Sequence, residues 1–120
     1  MEEKVRFTFK EHERLTKAKD FERVFKEGRS LGGSAVAFYF VKNELSYPRA
    51  GFIASKKLSK RAVDRNRAKR LMREVFRLNK HRLKSYDLVF IARKGILQKK
   101  YSDVESDFLK LAKKAGILKE

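Results

Sequence analysis

Apolar residues recur along this chain with two periods, and the switches between them mark its elements. From about Lys17 to Glu27 the apolar positions are Ala18, Phe21, Val24 and Phe25, spaced as one face of a helix. Gly28 follows where a left-handed C-terminal residue would end that helix. After Gly32 and Gly33 the period drops to two. Over Ser34–Lys42, Ala35, Ala37, Tyr39 and Val41 point one way and Val36, Phe38 and Phe40 the other. This predicts a strand apolar on both faces, either central or covered on one side and functional on the other. Asn43–Pro48 reads as a turn, and Arg49–Ser55 as a second strand in a hairpin with the first.

The helical period returns from about Arg61 to Leu78, with Ser59 as N-cap. Ala68, Leu71, Met72, Val75 and Leu78 form one stripe, with Phe76 at its edge. Asn66, Lys69, Arg70, Arg73 and Arg77 fall on the opposite face, flanked by Arg65 and Arg67. Tyr86–Ala92 is a continuous apolar run, the signature of a buried strand. Ser102-Asp103-Val104-Glu105 reads as a capping box opening a last helix. That helix turns Val104, Phe108, Leu111, Ala112 and Ala115 inward and ends at Gly116. The order α-β-β-α-β-α, with room for one more short strand, predicts an α+β fold, a two-layer α/β sandwich. Residues 1–120 read as one domain. Residues 1–15, where Phe7 and Phe9 alternate with polar neighbours, read as an extended arm, with residues 1–11 either ordered or free.

Charge changes the picture. Thirteen Lys and Arg lie between Lys56 and Lys84 against only Asp64 and Glu74, so this window carries +11 of a net +17. A single-sign cluster of that density in a small domain calls for a polyanionic partner. Ten Phe and four Tyr argue against a disordered basic tail. With no Cys there is neither a disulfide nor a thiolate zinc site, and His12 and His81 lack ligand spacing. The charged N-terminus lacks the apolar core of a signal peptide, and Ala35–Val41 is too short to span a bilayer. The cytoplasm is the default location.

Three kinds of side chain carry candidate chemistry. Asp64, Glu74, Asp87, Asp103, Glu105 and Asp107 are the carboxylates a metal-dependent nuclease would need. Each also has an ordinary account: Asp103 and Glu105 suit a helix's first turn, and Glu74 can pair with Arg70. No Ser/His/Asp arrangement, phosphate-binding glycine loop or dinucleotide fingerprint is present. The guanidinium forks of Arg65, Arg67, Arg70 and Arg73 suit phosphate, and the Asn66 amide can both donate and accept. Phe21, Phe25 and Tyr39 are core by default. Aromatics beside basic groups also hold single-stranded RNA by stacking, and both readings stay open on pattern alone.

The run Lys56-Lys57, six residues, then Asp64-Arg65-Asn66-Arg67-Ala68-Lys69-Arg70-Leu71-Met72-Arg73-Glu74-Val75-Phe76-Arg77 resembles the RNR signature of the bacterial ribonuclease P protein subunit. Leu15, Phe21 and Phe25-Lys26-Glu27-Gly28 look like that family's first helix, Ala35–Val41 its first strand and Asp87–Lys94 its late strand. The similarity covers residues 12–115. It implies a division of labour in which a catalytic RNA with its magnesium ions cuts the 5′ leader from precursor tRNA, while the protein binds precursor and supplies no catalytic side chain; no metal ligand is assigned to the protein. By position, Arg65, Asn66, Arg67, Lys69, Arg70 and Arg73 would face the ribonuclease P RNA. Phe21, Phe25 and Tyr39 would line a cleft for the single-stranded leader of precursor tRNA, with Lys56, Lys57 and Arg93 at its edge. The resemblance also implies a left-handed βαβ crossover through the basic helix, against the general right-handed rule.

Two competing readings share the charge and size: a structural RNA-binding protein of ribosomal type, with no leader cleft, and a protein-only metal nuclease.

Overall fold

A computed structural model describes residues 9–119. Four strands, β1 (Arg29–Gly32), β2 (Val36–Lys42), β3 (Arg49–Ile53) and β4 (Tyr86–Ala92), form one sheet in the order β1-β2-β4-β3. Three helices accompany it: α1 (Ala18–Glu27), α2 (Ala62–Asn79) and α3 (Tyr101–Ala115). Short 3₁₀ turns occupy Glu11–Glu13, Lys80–Arg82 and Lys94–Gln98. The architecture is the expected α+β domain.

Strand connectivity departs from expectation. The strand Arg49–Ile53 makes no hairpin with β2; it pairs in parallel with β4, which inserts between them. The hairpin partner of β2 is β1, the extra short strand. Proximity in sequence favours the hairpin, but β4 is apolar on both faces and gains most by sitting centrally. β3, α2 and β4 thus form a βαβ unit that carries the basic helix.

One face of the sheet presents Val36, Phe38, Phe40, Ala50, Leu88 and Phe90 to α2 and α3. Phe90 is the hub of this core, with ring centroids 5.0 Å from Phe108, 5.3 Å from Phe52, 6.1 Å from Phe38 and 6.2 Å from Phe76. The buried stripe of α2 is Ala68, Met72, Val75, Phe76 and Asn79, rotated slightly from the predicted one; Leu71 and Leu78 are half-buried. Asn79 can be buried because its amide donates to Val75 O (2.9 Å) and to Glu105 Oε2 (2.8 Å).

Helix ends also differ in detail. Gly28 lies at φ −83°, extended rather than left-handed. Glycine is needed there for closeness: a Cβ would run into the carbonyl oxygens of Val24 and Phe40. Gly116, at φ 76°, is the left-handed terminus predicted for α3. Ser59 does not cap α2. Its hydroxyl donates to Asp64 Oδ2 (2.8 Å) and accepts from Arg61 N–H (3.1 Å), bracing the loop before the helix. At α3 the helix begins one residue before Ser102, and Asp103 accepts from Lys100 N–H at 3.4 Å.

The segment before α1 covers the β3 edge: Leu15 N–H donates to Ala50 O (2.9 Å). Lys80 clamps it to the end of α2 by donating to both oxygens of the buried Glu13 carboxylate, each at 2.7 Å. Most of the extended arm expected over residues 1–15 lies outside the described residues.

Candidate nucleic-acid interface

Because side chains alternate along a strand, β2, β4 and β3 place Val41, Asp87 and Arg49 in one row on the face away from α2. The next two rows are Tyr39, Val89 and Gly51, then Ala37, Ile91 and Ile53. Helix α1 covers this face only partly. It buries Val24 against Val89, with Phe21, Tyr39, Val41, Ile53 and Ile91 half-buried around them. Phe21 fits because Gly51 has no side chain: a Cβ there would sit 2.5 Å from Phe21 Cζ. Phe25, one turn further on, is 39% exposed and meets Tyr39 edge-to-face, with centroids 4.9 Å apart. The result is a half-open groove with an apolar floor and two aromatic walls.

The angle of α1 over the sheet is fixed by a charged knot. Asp87 is fully buried and accepts from Arg49 Nε (2.9 Å) and Nη2 (2.7 Å), from Asn43 Nδ2 (2.9 Å), and from Arg23 of α1. Burial pushes its carboxyl pKa up, but the hydrogen bonds from Arg49 and Asn43 and the Arg49 and Arg23 charges outweigh it, and the pKa lies below the ordinary value.

Two of the predicted groove-edge cations meet at one place. Arg93 continues the groove face of β4, and its guanidinium packs against Gly32, where a side chain would collide with it. Lys57 lines the same open pocket as Arg93, together with Ser34 and Ser55. Lys56 is exposed on the adjoining loop, outside that pocket. Phe21 packs on the same cluster as Tyr39 but also lines a pocket between α1, β3 and α2 that neither Tyr39 nor Phe25 reaches.

The basic helix does not present one uniform ridge. Asn66 and Arg70 are exposed. Arg65 donates to Ser59 O (2.8 Å), and Arg67 to Lys99 O (2.7 Å), so both guanidinium groups also brace loops. Lys69 and Arg73 are half-buried and turn toward Phe21. Phe9, Arg14 and Phe52, which also line that pocket, were not among the expected binding residues. The available signal was Phe9 in an alternating segment and Arg14 beside the apolar Leu15.

The six carboxylates are dispersed over separate tasks. Asp64 binds Ser59, Glu74 accepts from Arg77 Nε (2.8 Å) rather than from Arg70, and Asp87 holds the charged knot. Asp103 serves the start of α3, and Glu105 accepts from Tyr101 Oη (2.7 Å). Asp107 receives the N–H groups of Ala35 and Val36 at 3.0 and 3.3 Å. Among the described residues, no group of three or more His, Asp or Glu is placed to hold a metal ion. No helix among them is long and apolar enough to cross a membrane.

Residues 9–116 match the ribonuclease P protein family. The ribonuclease P protein component of Alkaliphilus metalliredigens is 42% identical over 106 residues, covering 88% of this chain and 95% of its own. That of Pelotomaculum thermopropionicum is 44% identical over 104 residues, covering 86% and 92%. The solved ribonuclease P protein of Staphylococcus aureus superposes with a TM-score of 0.79 at 30% identity, over 89% of this chain and 98% of its own. The Thermotoga maritima protein gives 0.75 at 36% identity, over 85% and 96%. An RNR-bearing helix, a half-open aromatic groove and near full-length similarity agree, and the chain belongs to the ribonuclease P protein family.

Proposed function

We propose that this chain is the protein subunit of a bacterial-type ribonuclease P, acting in the cytoplasm to promote removal of the 5′ leader from precursor tRNA. In this reading the catalytic RNA holds the magnesium ions and performs the hydrolysis. The protein binds two RNAs at once and lowers the repulsion between their phosphates. Arg65, Asn66, Arg67, Lys69, Arg70 and Arg73 on α2 engage the RNA subunit. Phe21, Phe25 and Tyr39 receive the single-stranded leader, whose phosphates run toward Lys56, Lys57 and Arg93.

The observation that supports the leader site best is the exposed Phe25 against Tyr39, on a sheet face that α1 leaves half-open. An aromatic ring open to solvent on a half-covered sheet face offers a π-surface on which a base can stack. Binding of precursor and mature tRNA to the Phe25→Ala variant, in the presence of the RNA subunit, tests it. Selective loss for the precursor is expected, and equal loss for both would remove the leader from this groove.

A further inference from the structure

Lys69 and Arg73 belong to the basic motif, yet they are not part of its exposed ridge. They turn into a pocket of about 200 Å³ that they share with Arg14, from the segment before α1. The walls between them are aromatic: Phe9, Phe21 and Phe52. The Arg14 guanidinium lies over the Phe9 ring at 4.9 Å, and that of Arg73 over Phe52 at 5.9 Å. No acidic residue lines the pocket. Among the described residues, none of the three cations has a carboxylate within 4.0 Å, whereas Arg23, Arg49, Arg61, Arg77 and Lys80 all do. Three like charges held into one concavity repel one another, and the arrangement is relieved by an anion between them.

We propose that Arg14, Lys69 and Arg73 form a single phosphate site that grips one backbone phosphodiester of RNA, with the adjoining sugar or base against the Phe9 and Phe21 rings. The site lies where the groove beside α1 meets the basic helix. It rests on the RNA-binding reading above and refines it: two cations of the RNR helix act with Arg14 on one phosphate, separately from Arg65 and Arg70. An aromatic wall beside a cationic floor suits a phosphodiester, whose adjoining sugar and base faces can pack on the rings, better than a free inorganic anion. The phosphate can come from the RNA subunit or from the precursor's leader, because the pocket borders both paths.

The test is a double-mutant cycle on Arg14→Gln and Arg73→Gln. Affinity is measured by fluorescence anisotropy over a KCl series, for the RNA subunit alone and for leader-bearing precursor in the holoenzyme. Lys110→Gln, on the exposed face of α3, is the control, and thermal melts verify that each variant is folded. Each single variant is expected to lose about 10-fold in affinity for one of the two RNAs, the size of one charge-assisted contact. Because both side chains hold the same phosphate, the double variant loses about 20- to 30-fold, not ~100-fold. Its salt slope falls by about 0.7–0.9, one phosphate in total. Loss confined to the RNA subunit assigns the phosphate to it; loss confined to leader-bearing precursor assigns it to the leader. Multiplicative losses, or unchanged affinity for both RNAs while wild type binds them, would overturn the shared site and leave the broader reading intact. Failure of wild type to bind either RNA would overturn both.

Discussion

Arg49 grips Asp87 with two parallel hydrogen bonds, 2.9 Å from Nε and 2.7 Å from Nη2, across the β3–β4 pair. Arg23 of α1 joins the same carboxylate. This knot ties the helix that walls the groove to the strands that floor it, so groove geometry and fold stability share one buried charge. Removing the Asp87 charge leaves Arg23 uncompensated and Arg49 with only Asp20, 3.8 Å away. We expect Asp87→Asn to cost about 2–3 kcal/mol, short of the range for fully buried pairs because Arg23 and Arg49 keep some solvent contact.

The same pair sets a pH dependence. The Asp87 pKa is lower in the folded chain than the ordinary 3.8. Its stabilising contribution is therefore complete above the unfolded value and drains away as pH falls through 3.8 toward the folded value. Urea unfolding across this acid range should show wild type losing more stability than Asp87→Asn. Parallel curves for the two proteins would show that Asp87 carries no such linkage.

Phe21 and Phe25 should behave differently, although the sequence places them on one helical face. Phe25 is 39% exposed but packs edge-to-face on Tyr39, so Phe25→Ala should cost about 1 kcal/mol, less than Phe21→Ala. The same variant should weaken leader-bearing precursor binding by about tenfold, the scale of one stacked base. Phe21 is half-buried against Gly51, so Phe21→Ala should lower the melting temperature further. A stability loss at Phe25 equal to that at Phe21 would mean that Phe25 is simply core.

Gly51→Ala places a methyl 2.5 Å from Phe21 Cζ. The ring has to move, at a cost of about 1–3 kcal/mol for an overpacked site. Combining it with Phe21→Ala should relieve the clash, so the double variant is more stable than the sum of its parts predicts. Additive melting shifts would show that the two positions do not touch.

On the basic helix, Arg70→Ala should reduce the salt slope for RNA-subunit binding by up to about one unit, with melting unchanged, because Arg70 is exposed. Arg67→Ala should do both, because its guanidinium holds the Lys99 carbonyl and so the approach to α3. Equal melting temperatures for the two variants would count against that tether.

Much of this was legible in the sequence. β4 and the ends of α1 and α2 fell within a residue or two of their expected bounds, because their periodicity is strong. The pairing of Arg49–Ile53 with β4 was not legible, since pairing partners depend on which strand gains most from central burial. The extra short strand was expected but could not be placed, because Leu31 is the only large apolar residue of β1. Gly28 was read for its backbone freedom, whereas its role is close approach to Phe40. The cations of α2 could be placed on a face by counting, but the turn of Lys69 and Arg73 toward Arg14 depends on how the segment before α1 crosses β3. Long-range packing of that kind leaves no local trace.

The central claim is that this protein works with a catalytic RNA and is not itself the nuclease. Reconstitution tests it most directly: the purified protein, a bacterial ribonuclease P RNA and a labelled precursor tRNA are combined at low magnesium, beside each component alone. We predict release of the 5′ leader only when protein and RNA subunit are both present. Cleavage by the protein alone, or no gain from adding it to the RNA at any magnesium concentration, would contradict the account.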